Sequence, residues 1–331
     1  NDFIDRSYRT EYSRLGFYES QANAVYEVED WFGEMQGVTY QQHITDLYNS
    51  INELTKNPTS TIARSSLIQN ATAFIDRSQA IYSGLKDYQI TLNTEVSSMV
   101  DKINELGQKI YSLNKSISKV EAGGVERAND LRDTRDLALD ELSQYLDIDY
   151  YETTDGQIII SAENIPFVSK SEVNTMDVRQ EGQYGLLIPE WPAYEKDVFS
   201  FEKAASNANN NDKGKLKGLL VARGTIDVNY QDVPVMPDKS DYDLTTAEGM
   251  AQYNSAMDDY QKQQDYYNKY IEPSAILSAI AGFDKLVNGI VTALNDVLCP
   301  ETNNILLFPF LFTPASGGLR GNIVEELSFV Y

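Results

Sequence analysis

Large apolar residues recur at helical spacing over long distances in this chain. Between residues 81 and 120 they fall at Ile81, Leu85, Tyr88, Leu92, Val96, Met99, Ile103, Leu106, Ile110, Leu113, Ile117 and Val120. Steps of four and three alternate, with one extra four-residue step at Leu92, Val96 and Met99, which is a heptad seam with a single stutter. The pattern predicts a helix that begins after Asn57 and Pro58, capped by Thr59 or Ser60, and ends at Gly123 and Gly124 in a left-handed turn. Such a helix of about 60 residues would be roughly 90 Å long. Shorter seams supply partners. Leu15, Tyr18, Ala22, Val25 and Phe32 continue a 3-4 pattern in the first segment, with Glu29 at the vacant step. After Gly37 comes a helix bearing Ile44, Leu47, Ile51 and Leu54. A tyrosine-rich seam (Met250, Tyr253, Met257, Tyr260, Gln264, Tyr267, Ile271) is broken by Pro273, and a last apolar helix carries Leu277, Ile280, Val287, Val291, Leu294 and Leu298.

Residues 148–204 differ in composition. Tyr150 and Tyr151 and the run Ile158, Ile159, Ile160 flank Thr153-Thr154-Asp155-Gly156, and Asp-Gly between β-branched and aromatic runs predicts a hairpin. Residues 224–245 read as an extended loop. The expected fold class is therefore mainly α with a β-rich part (α+β), a long antiparallel helical bundle or coiled-coil rod. The rod is expected to be discontinuous, over 1–147 and 205–299, with a small β-rich insert at 148–204 and the start of a second β-rich element at 300–331.

Composition narrows the chemistry. The 331 residues hold 50 acids and 27 bases, a formal charge of -23, with one histidine, His43, and one cysteine, Cys299. An excess of acid argues against nucleic-acid and anionic-membrane partners. One Cys and one His cannot make an internal disulfide or a four-ligand zinc site. The first residue is Asn1 and no charged-then-apolar leader follows, so no signal peptide is visible. The longest apolar run, 305–312, is broken by Pro309 and falls short of the ~20 residues of a membrane helix. A soluble protein, or a soluble fragment of one, is expected. No phosphate loop, calcium loop or helical histidine pair occurs, His43 reads as structural or solvated, and Cys299 reads as an inert thiol. The chain is not expected to be an enzyme, and no catalytic, cofactor or metal residue is assigned.

The richest charged run is 129–136, Asn-Asp-Leu-Arg-Asp-Thr-Arg-Asp, continuing to Asp140 and Glu141. At 100° per residue Leu131, Ala138, Leu142, Tyr145 and Leu146 form one face. Asp130, Asp133, Asp136 and Asp140 fall opposite, as a solvated, dipole-matched start capped by Asn129 or Asp130. Arg135 is the exception: it projects into the apolar face, with no acid three or four residues away on that face. It is expected to reach across to a carboxylate or to backbone carbonyls of a neighbouring element. Asn129, Asp130, Asp133, Arg135, Asp136, Asp155 and Gly156 are the candidate structural motif.

That run, followed by Leu142-Ser143 and the Asp155-Gly156 hairpin, resembles the flagellar hook-associated protein 1 family, in which an Asn-Asp-Leu-x-Asp-x-Arg-Asp helix follows a long coiled coil. The 57–64 segment resembles the family's helix start, 214–223 its chain return, and 286–295 its returning helix. The resemblance spans about 1–300, without the family's terminal helices, which implies a trimmed chain. It implies a structural subunit of the bacterial flagellum at the hook–filament junction, extracellular and exported by the flagellar type III pathway. The implied partners are the hook protein, hook-associated protein 3, copies of the same subunit in a ring, and a cytoplasmic export chaperone acting on a C-terminal region. Neither nucleic acid nor membrane is among them. The alternatives are hook-associated protein 3 itself, or a secreted helical adhesin or ligand-binding bundle whose pocket would use the tyrosines at 242–270.

Overall fold

The structure is a computed structural model. It describes residues 2–32, 39–123, 127–182, 185–298, 313–314 and 327–328. Gly37, Gly124, Cys299 and the 305–312 run lie outside the described residues. Seven helices run through the described chain: α1 Asp2–Phe32, α2 Tyr40–Lys56, α3 Thr61–Glu121, α4 Asn129–Tyr145, α5 Lys215–Arg223, α6 Ala247–Tyr270 and α7 Ala275–Leu298. Between α4 and α5 lie two antiparallel three-stranded sheets. The first is β1 Ile148–Glu152, β2 Ile158–Ala162 and β3 Ile165–Val168; the second is β4 Asp177–Glu181, β5 Leu186–Trp191 and β6 Lys196–Asp197. Within 300–331, β7 Thr313–Pro314 pairs with β8 Leu327–Ser328, and the rest of that segment is outside the described residues. Residues 224–246 contain short 3-10 turns at Tyr230–Asp232 and Lys239–Asp241.

The chain groups into two compact units, residues 1–24 with 90–225 and residues 25–89 with 226–331. The 148–204 segment belongs to the first. In the second, an aromatic cluster of Phe32, Tyr40, Phe74 and Phe283 has ring centroids 5.2–6.5 Å apart. The Tyr40 hydroxyl lies 3.1 Å from that of Ser78. By length and composition α7 could cross a membrane. Its seam, Leu277, Ile280, Val287 and Val291, is instead buried in the unit. Asp284 is buried among these residues and accepts the Tyr230 N–H at 2.8 Å. This is how a core helix is built.

The α3 seam is buried from Ile81 to Ile117, apart from half-buried Tyr88 and Leu113. It runs out at Val120, which is exposed. Ser60 caps the helix by accepting the Ala63 N–H at 3.2 Å. At the other end Gly123 does not adopt a left-handed φ. The helix ends at Glu121, whose side chain has another task described below.

The first segment corrects the sequence reading. Leu15, Tyr18, Ala22 and Val25 are exposed, and the buried face of α1 is Arg9, Ser13, Gly16, Phe17, Ser20 and Ala24. The physical reason is close backbone packing. A Cβ on Gly16 would lie 2.5 Å from the Gln144 carbonyl oxygen, and one on Gly218 would meet the Phe17 backbone. Small residues admit α4 and α5 to contact distance, where Ser13 donates to the Leu146 carbonyl and Ser20 to the Lys215 carbonyl. Counting only large apolar residues selects the wrong side.

Candidate functional site

The charged run at 129–136 opens α4, and the structure builds a polar node around its two arginines. Arg135 is 1% exposed. Its Nη1 donates to the Gly156 carbonyl at 2.6 Å and to Asn114 Oδ1 at 3.1 Å, and its Nη2 lies 3.6 Å from Glu152. The arginine therefore ties α4 to the β1–β2 loop and to α3. Gly156 suits that place because its φ is +75° and a Cβ would lie 3.0 Å from the Arg132 guanidinium and from the Glu121 carboxylate. The β1–β2 register pairs Glu152 with Ile158, so the loop of Thr153 to Gln157 stands over α4.

Arg132, one turn earlier, joins two carboxylates. It donates to Glu121 through Nε at 2.8 Å and Nη2 at 2.7 Å, and to Glu152 through Nη1 at 2.7 Å. Glu121 also accepts the Ala128 N–H at 3.0 Å. The expectation that Asn129 or Asp130 caps α4 is thus corrected. The N-cap residue is Ala128 without a side-chain cap, and a carboxylate from the end of α3 satisfies the free amide at the positive end of the helix. The bond from Arg132, then that from Ala128, holds the Glu121 carboxyl down to about 2.

The remaining motif residues separate. Asn129, Asp130 and Asp133 are exposed. Asp140 accepts Arg9 Nε at 2.7 Å, with Asp136 at 3.9 Å from the same guanidinium, so the acidic face docks α1 rather than only facing water. The Arg9 guanidinium also lies 4.7 Å over the Tyr150 ring. Asp155 faces out on the loop, where Lys170 at 2.8 Å and then Thr153 hold its carboxyl down to about 2. Arg132, Glu121, Asn114 and Arg9 belong to this node and were not in the sequence motif. Of these only Arg132 and Arg9 carried a local signal, a base beside acids at helical spacing.

Nothing in the node resembles an active centre. Its carboxylates are engaged by arginines, and among the described residues no group of three or more His, Cys, Asp or Glu could hold a metal ion. The tyrosine-rich α6 borders an open cleft of about 400 Å³ lined by Gln231, Asp232, Lys262, Gln263 and Tyr266. Its neighbouring rings pack on one another, Tyr242 on Tyr253 and Tyr266 on Tyr270.

The chain is similar to several known proteins. The chain is 27% identical over 270 residues to flagellar hook-associated protein 1 of Bacillus subtilis, covering 76% of this chain and 52% of that protein. It is 28% identical over 120 residues to the protein of that name in Escherichia coli, covering 36% of this chain and 22% of that one. The chain thus spans about half the length, or less, of the curated relatives it matches. A solved structure of the flagellar hook junction protein FlgK from Burkholderia pseudomallei shares the fold, with a TM-score of 0.52 at 18% identity, over 66% of this chain and 38% of that one. The family model of the flagellar hook-associated protein FlgK helical domain matches residues 25–239, more than half of the chain. On that match, the chain belongs to the flagellar hook-associated protein FlgK family.

Proposed function

We propose that this chain is the helical part of a hook–filament junction subunit, a structural protein without catalytic activity that connects hook to filament and allows the filament to grow. The names of the relatives support the class. The structural observation that carries an assembly role is the outer face of α1. Ile4, Tyr8, Leu15 and Ala22 occupy heptad positions along it and are exposed, Ile4 by 58% and Leu15 by 50%. Ile4, Tyr8 and Leu15 are large side chains left about half in water, and covering what is exposed contributes about 1 kcal/mol each. A partner helix with a matching seam would cover the row.

On this reading the subunit is exported through the flagellar type III pathway with the help of a cytoplasmic chaperone. Outside the cell it meets copies of itself in a ring, with the hook protein and hook-associated protein 3 as neighbours. The charge of -23 makes isolated copies repel at low salt, so assembly depends on complementary surfaces such as this seam. Deleting the gene should leave hooks without filaments and release filament protein into the medium; normal filaments would end the proposal. In the full-length protein, Tyr8→Glu with Leu15→Glu should fold, by circular dichroism, yet fail to restore swimming. Full motility with that pair would remove the seam from the assembly.

A further inference from the structure

The long helix α3 carries a polar device three times over. Asn93, Asn104 and Asn114 stand at intervals of eleven and ten residues, about three turns each, which keeps them on one side of the helix. Each presents its carboxamide to the backbone of the β segments. Asn93 donates to the Gly185 carbonyl at 3.1 Å and accepts the Leu187 N–H at 2.8 Å. Asn104 donates to the Met176 carbonyl at 2.9 Å and accepts the Met176 N–H at 2.9 Å. Asn114 donates to the Ile158 carbonyl at 2.7 Å and accepts the Ile158 N–H at 3.0 Å.

A carboxamide offers the same donor and acceptor as a peptide group, so each asparagine occupies the position of a neighbouring strand. It does so where the sheets leave backbone open. The β6 strand pairs only with Glu190 and Trp191 of β5, β3 reaches β2 no nearer its start than Ile160, and Met176 precedes β4. The two outer clasps share a second feature. Arg135 donates to Asn114 Oδ1 and to the Gly156 carbonyl; Arg223, at the end of α5, donates to Asn93 Oδ1 at 2.6 Å and to the Leu187 carbonyl at 2.9 Å. Both arginines are buried. Between the clasps, Gly107 leaves bare backbone for the Phe167 ring, which a Cβ there would strike.

We propose that Asn93, Asn104 and Asn114 form a register track that fixes the position of the β segments along α3, with Arg223 and Arg135 locking its two ends. The Phe167 ring seated on Gly107 marks one position by sterics. The clasps mark three by hydrogen bonding, and a one-residue shift removes every amide pair at once and leaves buried backbone groups unmade.

The test is hydrogen exchange, read by NMR at the amides of Ile158, Met176 and Leu187 in the 331-residue chain. Asn104→Ala leaves both locked ends in place and should speed exchange at Met176 about 100-fold, with Ile158 and Leu187 changing less than about threefold. Asn104→Leu fills the same space with neither donor nor acceptor, so Met176 should lose protection there as it does in Asn104→Ala. Arg223→Met should speed exchange at Leu187 and not at Ile158, and Arg135→Met the reverse. Parent-like protection of Met176 in Asn104→Leu would reduce the asparagine to a space-filler and overturn the track. So would a uniform rise at all three amides in every variant. Should Asn104→Ala fail to fold, the two arginine variants decide the matter by the same site-specific pattern.

Discussion

Replacing Arg135 with alanine probes the polar node at its centre. The side chain is 1% exposed, so its bonds are made in a medium where lost partners are not replaced by water. Truncation removes the donor at 2.6 Å from the Gly156 carbonyl and the one at 3.1 Å from Asn114 Oδ1. Hydrogen bonds from a charged donor are worth about 1.5–3 kcal/mol each, and the volume left behind adds a cavity cost. The Glu152 contact adds little, because at 3.6 Å and with 41% of its side chain exposed that carboxylate is largely hydrated. Asn114 keeps its bonds to Ile158, which limits the loss on that side. The expected destabilisation is therefore about 3–5 kcal/mol, comparable to breaking a buried ion pair.

The chain provides its own reporter for that measurement. It has two tryptophans, Trp31 in the second unit and Trp191, fully buried, in the first. In a Trp31→Phe background, Trp191 fluorescence follows the unit that contains Arg135. With a urea slope of about 1–3 kcal/mol per molar, the midpoint for Arg135→Ala should fall by about 1–5 M. Arg135→Met restores bulk without donors and should recover the cavity part of the loss while leaving the hydrogen-bond part. A loss below about 0.5 kcal/mol for Arg135→Ala would refute the reasoning, since a surface residue costs no more than that.

Two other changes test separate features. Glu163 opens the β2–β3 turn with φ 48°, followed by Asn164 at 64°, and its carboxylate accepts the Asp147 N–H at 3.0 Å. Burial of the carboxyl pushes its pKa up to about 7 from an ordinary 4.5, against the downward pull of that N–H and of Lys217 and Lys213. The folded state thus holds the proton more tightly than the unfolded one. The resulting stabilisation is complete below pH 4.5 and is lost as pH rises through about 7. Glu163→Gln should gain on the parent between pH 5 and pH 8 in paired urea titrations; an unchanged difference would rule this out. Gly218→Ala in α5 would ordinarily gain up to about 1 kcal/mol from helix propensity. Here the added Cβ would lie 2.9 Å from Phe17 Cα and 3.0 Å from its carbonyl carbon, both backbone atoms. Overpacking of about 1–3 kcal/mol should win and lower the thermal midpoint; an equal or higher midpoint would contradict the close approach of α1 and α5.

The α3 seam was legible because its buried positions are large and apolar, so periodicity and burial select the same residues. The hairpin was legible for a local reason, since Asp155-Gly156 supplies the left-handed φ that its turn uses. Arg135 stood out as a charge on an apolar face. Its pairing with Gly156 and Asn114 did not, because both reach it only through tertiary structure, and the signal at Gly156 marks a turn rather than an arginine partner. The cap of α4 failed for a related reason. Capping rules look within a few residues of the helix start, whereas the acceptor is Glu121, seven residues before Ala128 and on another helix. Interior asparagines are weak helix formers, and three of them at intervals of eleven and ten mark the side of α3 that meets the β segments.

The phase of α1 bears on α4 as well. Asp136 and Asp140 read as solvated because they fall opposite the apolar face of α4, a reading that considers one helix at a time. With the face set by Ser13, Gly16, Phe17 and Ser20, Arg9 turns inward and those acids meet it. The same rotation turns Ile4, Tyr8 and Leu15 outward. The heptad pattern read from the sequence therefore lies on the exposed side of the helix. Its regularity is what a helix needs when its apolar partner is supplied by another segment or subunit, while the contact within the fold is made by small residues and hydrogen bonds.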